Sequence, residues 1–252
     1  GFRQGYEEGY RLGTRSRNVL RTGGRGSKSG YDFGIRARSS AQEVAAVAAA
    51  IDRERILPPE VVAARLGHKA RGFGDYQTFG DLMFEFAGAA DVERYRRELN
   101  IDDAIARVSY ESNGVRYLRE YFASYPDGVI VMRFSADRPG QISFRARLAI
   151  PDNRSASFRS SVGKIRVSGA LHDNGLQFAA GVDVIPQRGT MTRTPGTVSV
   201  ANADSVVVLF SAATNYRLAY PDYRGTPPMP SVEMRISAAL AKPFYVLEQR
   251  HV

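Results

Sequence analysis

The chain has 252 residues, 43% of them hydrophobic, a formal net charge of +9 and no cysteine. That apolar content suffices for a sizeable core, and the absence of cysteine excludes a disulfide framework, a thiolate metal site and a cysteine nucleophile. No apolar run approaches the roughly eighteen residues a membrane helix needs, so no membrane partner is expected.

The charge is uneven, because residues 1–40 hold nine Lys or Arg against three acids, a net of +6 that leaves +3 for the remainder. A basic arm of this kind is one way to hold nucleic acid, with affinity that falls steeply with salt. Beyond residue 40, however, Arg alternates with Asp and Glu along amphipathic strands, as on a solvated face, and nucleic acid is not the expected partner. The Gly-rich run from Thr22 to Gly30 lacks the spacing of a phosphate loop. Residues 1–40 therefore read as a basic, flexible or loosely packed extension of unassigned role, with Tyr31–Arg38 as one short candidate strand. The sequence opens at Gly1 with neither Met nor a basic segment followed by an apolar one; a missing or processed N-terminus is expected, and the compartment is left open.

Ser40 followed three residues later by Glu43 is a capping-box spacing, and it predicts a helix over the Ala-rich run Ala41–Ile51. Pro58-Pro59 breaks it and starts a second short helix, Pro59–Leu66. Val47, Ile51, Val61 and Leu66 supply modest apolar faces suited to packing.

From Gly74 the apolar period becomes twofold. Leu82, Phe84 and Phe86 share one face of a predicted strand. Ala106–Ser112 and Val115–Ser124 flank Asn113-Gly114, the dipeptide that best tolerates a type I′ turn. Val129–Ala136 and Gln141–Ile150 flank Asp137-Arg-Pro-Gly140 and are predicted to be antiparallel across that turn. Within the second of these, Ile142, Phe144, Ala146 and Leu148 face one way while Ser143, Arg145 and Arg147 face the other. Lys164–Leu171 and Leu176–Ile185 flank His172-Asp-Asn-Gly175, and Thr197–Val200 with Ser205–Ala212 close the series. Val206–Phe210 is apolar on both faces, as in a central strand. Short connections exclude a parallel sheet, and the predicted fold is mainly β, an antiparallel β-sandwich flanked by short helices. After the stiff Thr226-Pro-Pro-Met-Pro230, helical periodicity runs over Ser231–Leu240, is interrupted at Pro243 and resumes over Phe244–Val252. Stopping there without a C-cap signal suggests that the coding sequence once continued, or that the last helix packs on another chain.

No set of catalytic residues is present. His68, His172 and His251 have no ligand spacing, so neither a metal nor any cofactor is expected. There is no G-x-S-x-G elbow, and Asp102-Asp103, adjacent in sequence, reads as a solvated turn. The stretch from Phe73 to Leu82 places two Gly and two Asp around Tyr76 and Gln77. Aromatic rings stack on sugar faces while carboxylates and amides bind hydroxyls; Tyr76, Gln77, Asp81 and Tyr223 are accordingly the candidate carbohydrate contacts.

Six ordered motifs resemble one family. They are Gly74-Asp-Tyr-Gln-Thr-Phe-Gly-Asp-Leu82; Tyr95–Asp102 with Ala104, Val108 and Tyr110; Arg119–Asp127; Asp173–Phe178; Ala203–Leu209 continuing through Ala212–Tyr216; and Tyr220-Pro-Asp-Tyr-Arg-Gly225. Together, over residues 41–252, they are similar to the N-terminal β-sandwich (a super-sandwich) of glycoside hydrolase family 95, the inverting α-L-fucosidases and related α-L-galactosidases. In that family a helical linker leads into an (α/α)6 barrel carrying the general-acid Glu and the Asp and Asn that activate water. Inversion needs two such groups on opposite sides of the sugar, roughly 6.5–9.5 Å apart. The resemblance places all of them beyond Val252, so no catalytic residue is carried over. Residues 1–40 also lack the early Gly-Asn-Gly-Arg-Leu-Gly-like strand of family members.

The expected organisation is thus a basic extension (1–40), a β-sandwich over 41–228 with a helical insertion near 41–70, and the start of a helical linker over 229–252. The expected role is a truncated or split scaffold that packs against a catalytic barrel in cis or trans and is inactive alone. The alternative is a free-standing module that binds fucosylated glycans.

Overall fold

The structure, a computed structural model, describes residues 41–54, 57–66, 78–86, 91–220 and 222–251. The predicted extension over 1–40, with its candidate strand and Gly-rich run, lies outside them. The chain divides into two units, Gly1–Ala70 and Arg71–Val252.

In the first unit, helices α1 (Ala41–Glu54) and α2 (Pro59–Leu66) follow one another across the Pro58 break and touch. Val47 and Ala50 of α1 are buried, while Ile51, Val61 and Leu66 are half-buried.

The second unit is a β-sandwich, as predicted. A small four-stranded sheet has the order β1 (Asp81–Phe86), β6 (Ile142–Ala149), β11 (Thr197–Ala203), β10 (Thr190–Thr194). A large eight-stranded sheet runs β2 (Val92–Asn100), β3 (Ile105–Ser112), β4 (Val115–Ser124), β5 (Val129–Ala136), β12 (Ser205–Thr214), β9 (Gln177–Gln187), β8 (Lys164–Leu171), β7 (Arg154–Ser161). Every pairing is antiparallel. Asn113 (φ 52°) and Gly114 (φ 66°) both adopt the left-handed conformation that the β3–β4 turn requires.

One pairing differs from expectation. β5 and β6 do not form a hairpin: β5 pairs with β4 and β12 in the large sheet, whereas β6 pairs with β1 and β11 in the small one. Both edges of β5 are already taken, so Asp137–Gly140 carries the chain across the sandwich. Two anchors hold that crossing, the Asp137 carboxylate accepting from Arg116 N–H (2.9 Å) and the Asp204 carboxylate accepting from Gly140 N–H (2.8 Å).

Two cores explain the strand patterns. Between the sheets, Phe134 meets Phe84, Phe86 and Phe144 with ring centroids 4.9, 5.3 and 5.2 Å away, in edge-on geometries favoured by the ring quadrupole. Ile142, Phe144, Ala146 and Leu148 all point into this core, together with Val206 and Val208. The second core lies on the outer face of the large sheet. Helices α3 (Met229–Leu240) and α4 (Phe244–His251) cover that face, burying Val232, Ile236, Ala239 and Leu247 against Ile105, Phe122, Val131, Ala179 and Leu209. Val206–Phe210 is apolar on both faces because each face meets its own core.

α3 starts at Met229, two residues earlier than the periodicity predicts, because proline is tolerated at the first helical positions, where its missing N–H would have no intrahelical partner. α4 packs on its own sheet, through Phe122 against Phe244 and His251. Buried charges fix these helices. The Asp127 carboxylate, in the β4–β5 turn, accepts from Ser124 Oγ (2.7 Å) and pairs with Lys242 Nζ (3.3 Å) and Arg250 Nε (3.3 Å). Arg166 of β8 grips Glu233 of α3 with two bonds (2.8 and 3.1 Å) and pairs with buried Asp183. Among the described residues no helix is long and apolar enough to cross a membrane.

Candidate functional site

Of the residues proposed for carbohydrate contact, Tyr76 and Gln77 lie outside the described residues. Thr78 and Phe79, next in the chain, are anchored: the buried Arg154 guanidinium donates to the carbonyls of Thr78 (3.0 Å) and Phe79 (3.3 Å), and the Phe79 ring stands edge-on to Phe178 at 5.5 Å. Asp81 opens β1, exposed and paired in register with Ala149.

Tyr223 sits in the loop between β12 and α3, and this loop is the best-built surface feature at that end of β12. Its base is clamped by buried Asn215, whose side-chain oxygen accepts from Gln177 N–H (2.9 Å) while its backbone carbonyl accepts from Gly225 N–H (2.6 Å). Inside it, Tyr216 and Arg224 form a β-bridge, Tyr223 N–H donates to Ala219 C=O (2.8 Å), and Arg224 donates to the Asn174 carbonyl (2.9 Å). Tyr223 has φ +53°, an unusual value for a bulky residue, which this net of hydrogen bonds imposes.

Three rings result. Tyr216 and Tyr223 are parallel, with centroids 6.5 Å apart and planes 3° from each other, and Tyr220 stands edge-on to Tyr223 at 6.3 Å. Tyr216 and Tyr220 are more than half exposed, as is Leu218 between them. The Tyr220 phenol lies above its ordinary range through desolvation first and the Tyr223 phenol second. Asp222 and Arg217 flank the rings in solvent. The structure therefore surrounds Tyr223 with Tyr216 and Tyr220; Asp81 makes its own pairing with β6 elsewhere in the small sheet. Neither Tyr216 nor Tyr220 was singled out from sequence, although both lie inside the resemblance motifs that end at Tyr216 and begin at Tyr220.

This surface has the parts for stacking and hydrogen bonding. Among the described residues no group of three or more His, Asp or Glu is placed to hold a metal. His251 is structural: its ring stacks on Phe122 at 4.3 Å, and its nitrogens lie 2.6 and 2.7 Å from the carbonyls of Glu248 and Asp103. His172 is exposed in its turn, and His68 lies outside the described residues.

Residues 18–219 match the family described as "Glycosyl hydrolase family 65, N-terminal domain". The chain is 30% identical over 167 residues to Alpha-L-fucosidase 2 of Arabidopsis thaliana, an alignment that covers 56% of this chain and 20% of that protein. It is 27% identical over 194 residues to a protein of Aspergillus niger described as an alpha-fucosidase A, covering 71% and 24% respectively. The chain thus spans about a fifth to a quarter of the length of these relatives. Among solved structures, one described as a kojibiose phosphorylase from the human microbiome aligns with TM-score 0.46 and 8% identity over 64% of this chain and 24% of its own.

Proposed function

Since the chain belongs to the family of glycosyl hydrolase family 65 N-terminal domains, we propose that it is the non-catalytic β-sandwich of an α-L-fucosidase-like enzyme of the family 95 kind, serving as a scaffold for an (α/α)6 catalytic barrel. The observation that carries this reading is the partial match: two α-fucosidases align with the chain over only 20% and 24% of their own lengths. The structure supports it in one respect. Beside α4, the outer face of the large sheet keeps a groove of about 540 Å³ lined by Arg133, Ile185, Val207, Phe244 and Tyr245, an apolar seat next to the last helix. Removing the matched stretch from the Aspergillus niger relative is expected to leave the rest insoluble or with a lowered melting temperature. A remainder that stays soluble with unchanged activity and melting temperature overturns the scaffold role.

A second reading, a free-standing module for fucosylated glycans, draws on Tyr216, Tyr220 and Tyr223. Rings held by the loop's hydrogen bonds, two of them (Tyr216 and Tyr220) more than half exposed, suit stacking on a pyranose at little entropic cost. Calorimetry with a fucosylated oligosaccharide tests it; no heat at millimolar ligand removes it.

A further inference from the structure

The large sheet has eight strands to the small sheet's four, and its edge strand β2 is exposed at almost every residue. Cross-strand register identifies the residues left on the inner face there. Arg97 pairs with Val108, Val108 with Arg119, and Arg119 with Phe134, which lies in the inter-sheet core. The neighbouring row is Leu99, Ala106, Tyr121 and Met132. A row on the other side pairs Tyr110 with Tyr117, their rings stacked at 4.9 Å.

Arg119 is the hub of this face. Its guanidinium lies 3.8 Å from the centroid of Phe86 and 5.2 Å from that of Tyr110, and it donates to the Tyr110 hydroxyl at 3.0 Å. Burial first raises the Tyr121 phenol above its ordinary range; Arg119 offsets part of this by charge and a hydrogen bond, and the phenols of Tyr110 and Tyr95 add to the rise. Tyr110 and Tyr121 therefore both bond to one guanidinium, and Tyr95 stands on the edge strand β2. Tyr95 is 58% exposed and Arg97 is exposed beside it. Among the described residues neither Arg97 nor Arg119 is ion-paired, whereas Arg94 and Arg96 of β2, Arg107 of β3 and Arg133 of β5 all have carboxylate partners.

Aromatic rings, tyrosyl hydroxyls and two cations without carboxylates form a complementary surface for one chemical class. A guanidinium has five donors in a planar fork matched to an oxoanion, and tyrosine rings stack on the apolar face of a sugar ring. A nucleic-acid backbone calls for a track of cations, and among the described residues this face carries two without a carboxylate partner. We propose that this edge of the large sheet binds an acidic saccharide, its ring against Tyr95 and its anionic oxygens on Arg97 and Arg119. The anionic group is a carboxylate or a sulfate. The proposal does not depend on the scaffold role.

The test is affinity electrophoresis and calorimetry of the 252-residue chain in physiological salt with polygalacturonate, dextran sulfate, neutral dextran and duplex DNA. Binding is expected to polygalacturonate, to dextran sulfate or to both, identifying the anion, and not to neutral dextran. Tyr95→Ala and Arg97→Glu, both at exposed positions, are expected to weaken it at least tenfold with unchanged melting temperature. Arg159→Glu, the same charge change on β7 at the opposite edge of the same sheet, is expected to leave it intact. Should Arg97→Glu misfold, Arg97→Gln takes its place. No binding to either acidic polysaccharide, an equal loss from Arg159→Glu, or tighter binding to DNA overturns the proposal.

Discussion

Gly181 of β9 lies directly beneath Ile236 of α3: a Cβ on Gly181 would stand 2.5 Å from Ile236 Cδ1 and 3.1 Å from Val232 Cγ1. The helix seats on the sheet because this position has no side chain. Gly181→Ala is expected to lift α3 and cost about 1–3 kcal/mol, the usual penalty of overpacking, while Ile236→Ala costs about 2–5 kcal/mol by opening a cavity. Thermal or urea unfolding reads both. A neutral Gly181→Ala would mean that α3 is not seated there.

Asp127 ties the same helices to the β4–β5 turn. Burial pushes its carboxyl up, but bonds from Ser124, Arg250 and Lys242 outweigh this and hold it below the usual carboxylate range. Glu233 is lowered too, chiefly by Arg166. With folded values below the unfolded ones, the unfolded chain binds more protons in acid. The stabilisation is then full above about pH 4 and is lost as the pH falls through the depressed folded values. Asp127→Asn is expected to cost about 1–3 kcal/mol at pH 7, discounted for the partial exposure of Lys242 and Arg250. The gap from the wild type should close as melting curves are taken toward pH 3; a gap that stays constant contradicts the assignment.

Asn215 is the clamp of the tyrosine loop. Asn215→Ala leaves Gln177 N–H without its acceptor, at about 1–3 kcal/mol, and frees the loop that orders Tyr216 and Tyr223. If the loop binds glycan, Asn215→Ala and Tyr216→Ala both reduce affinity, the first with a fall in melting temperature and the second without. Full affinity in both variants would remove the loop from glycan binding.

How much of this was legible in the sequence depended on whether the signal was local. The alternation of Ile142, Phe144, Ala146 and Leu148 named the face that is buried, and Asn113-Gly114 named its turn. Asp137–Gly140 misled because turn chemistry fixes a reversal of the chain but not which strand the next one pairs with. β2 carried little signal, since Val92–Asn100 is exposed on almost every residue and bulges where Arg94 takes φ +51°. β7, rich in serine, gave equally little. The pairing of Tyr110 and Tyr121 with Arg119 exists only through cross-strand register, and the Tyr216–Tyr223 pair only through the fold of its loop.

The most direct test of the non-catalytic reading is hydrolysis of an aryl α-L-fucoside by the purified chain, with a catalytically competent α-L-fucosidase assayed alongside. The expected result is no release of the aryl group above the buffer blank at any protein concentration. Release that scales with the concentration of the chain, follows it through successive columns and persists in independent preparations would contradict that reading and place catalytic groups within these residues.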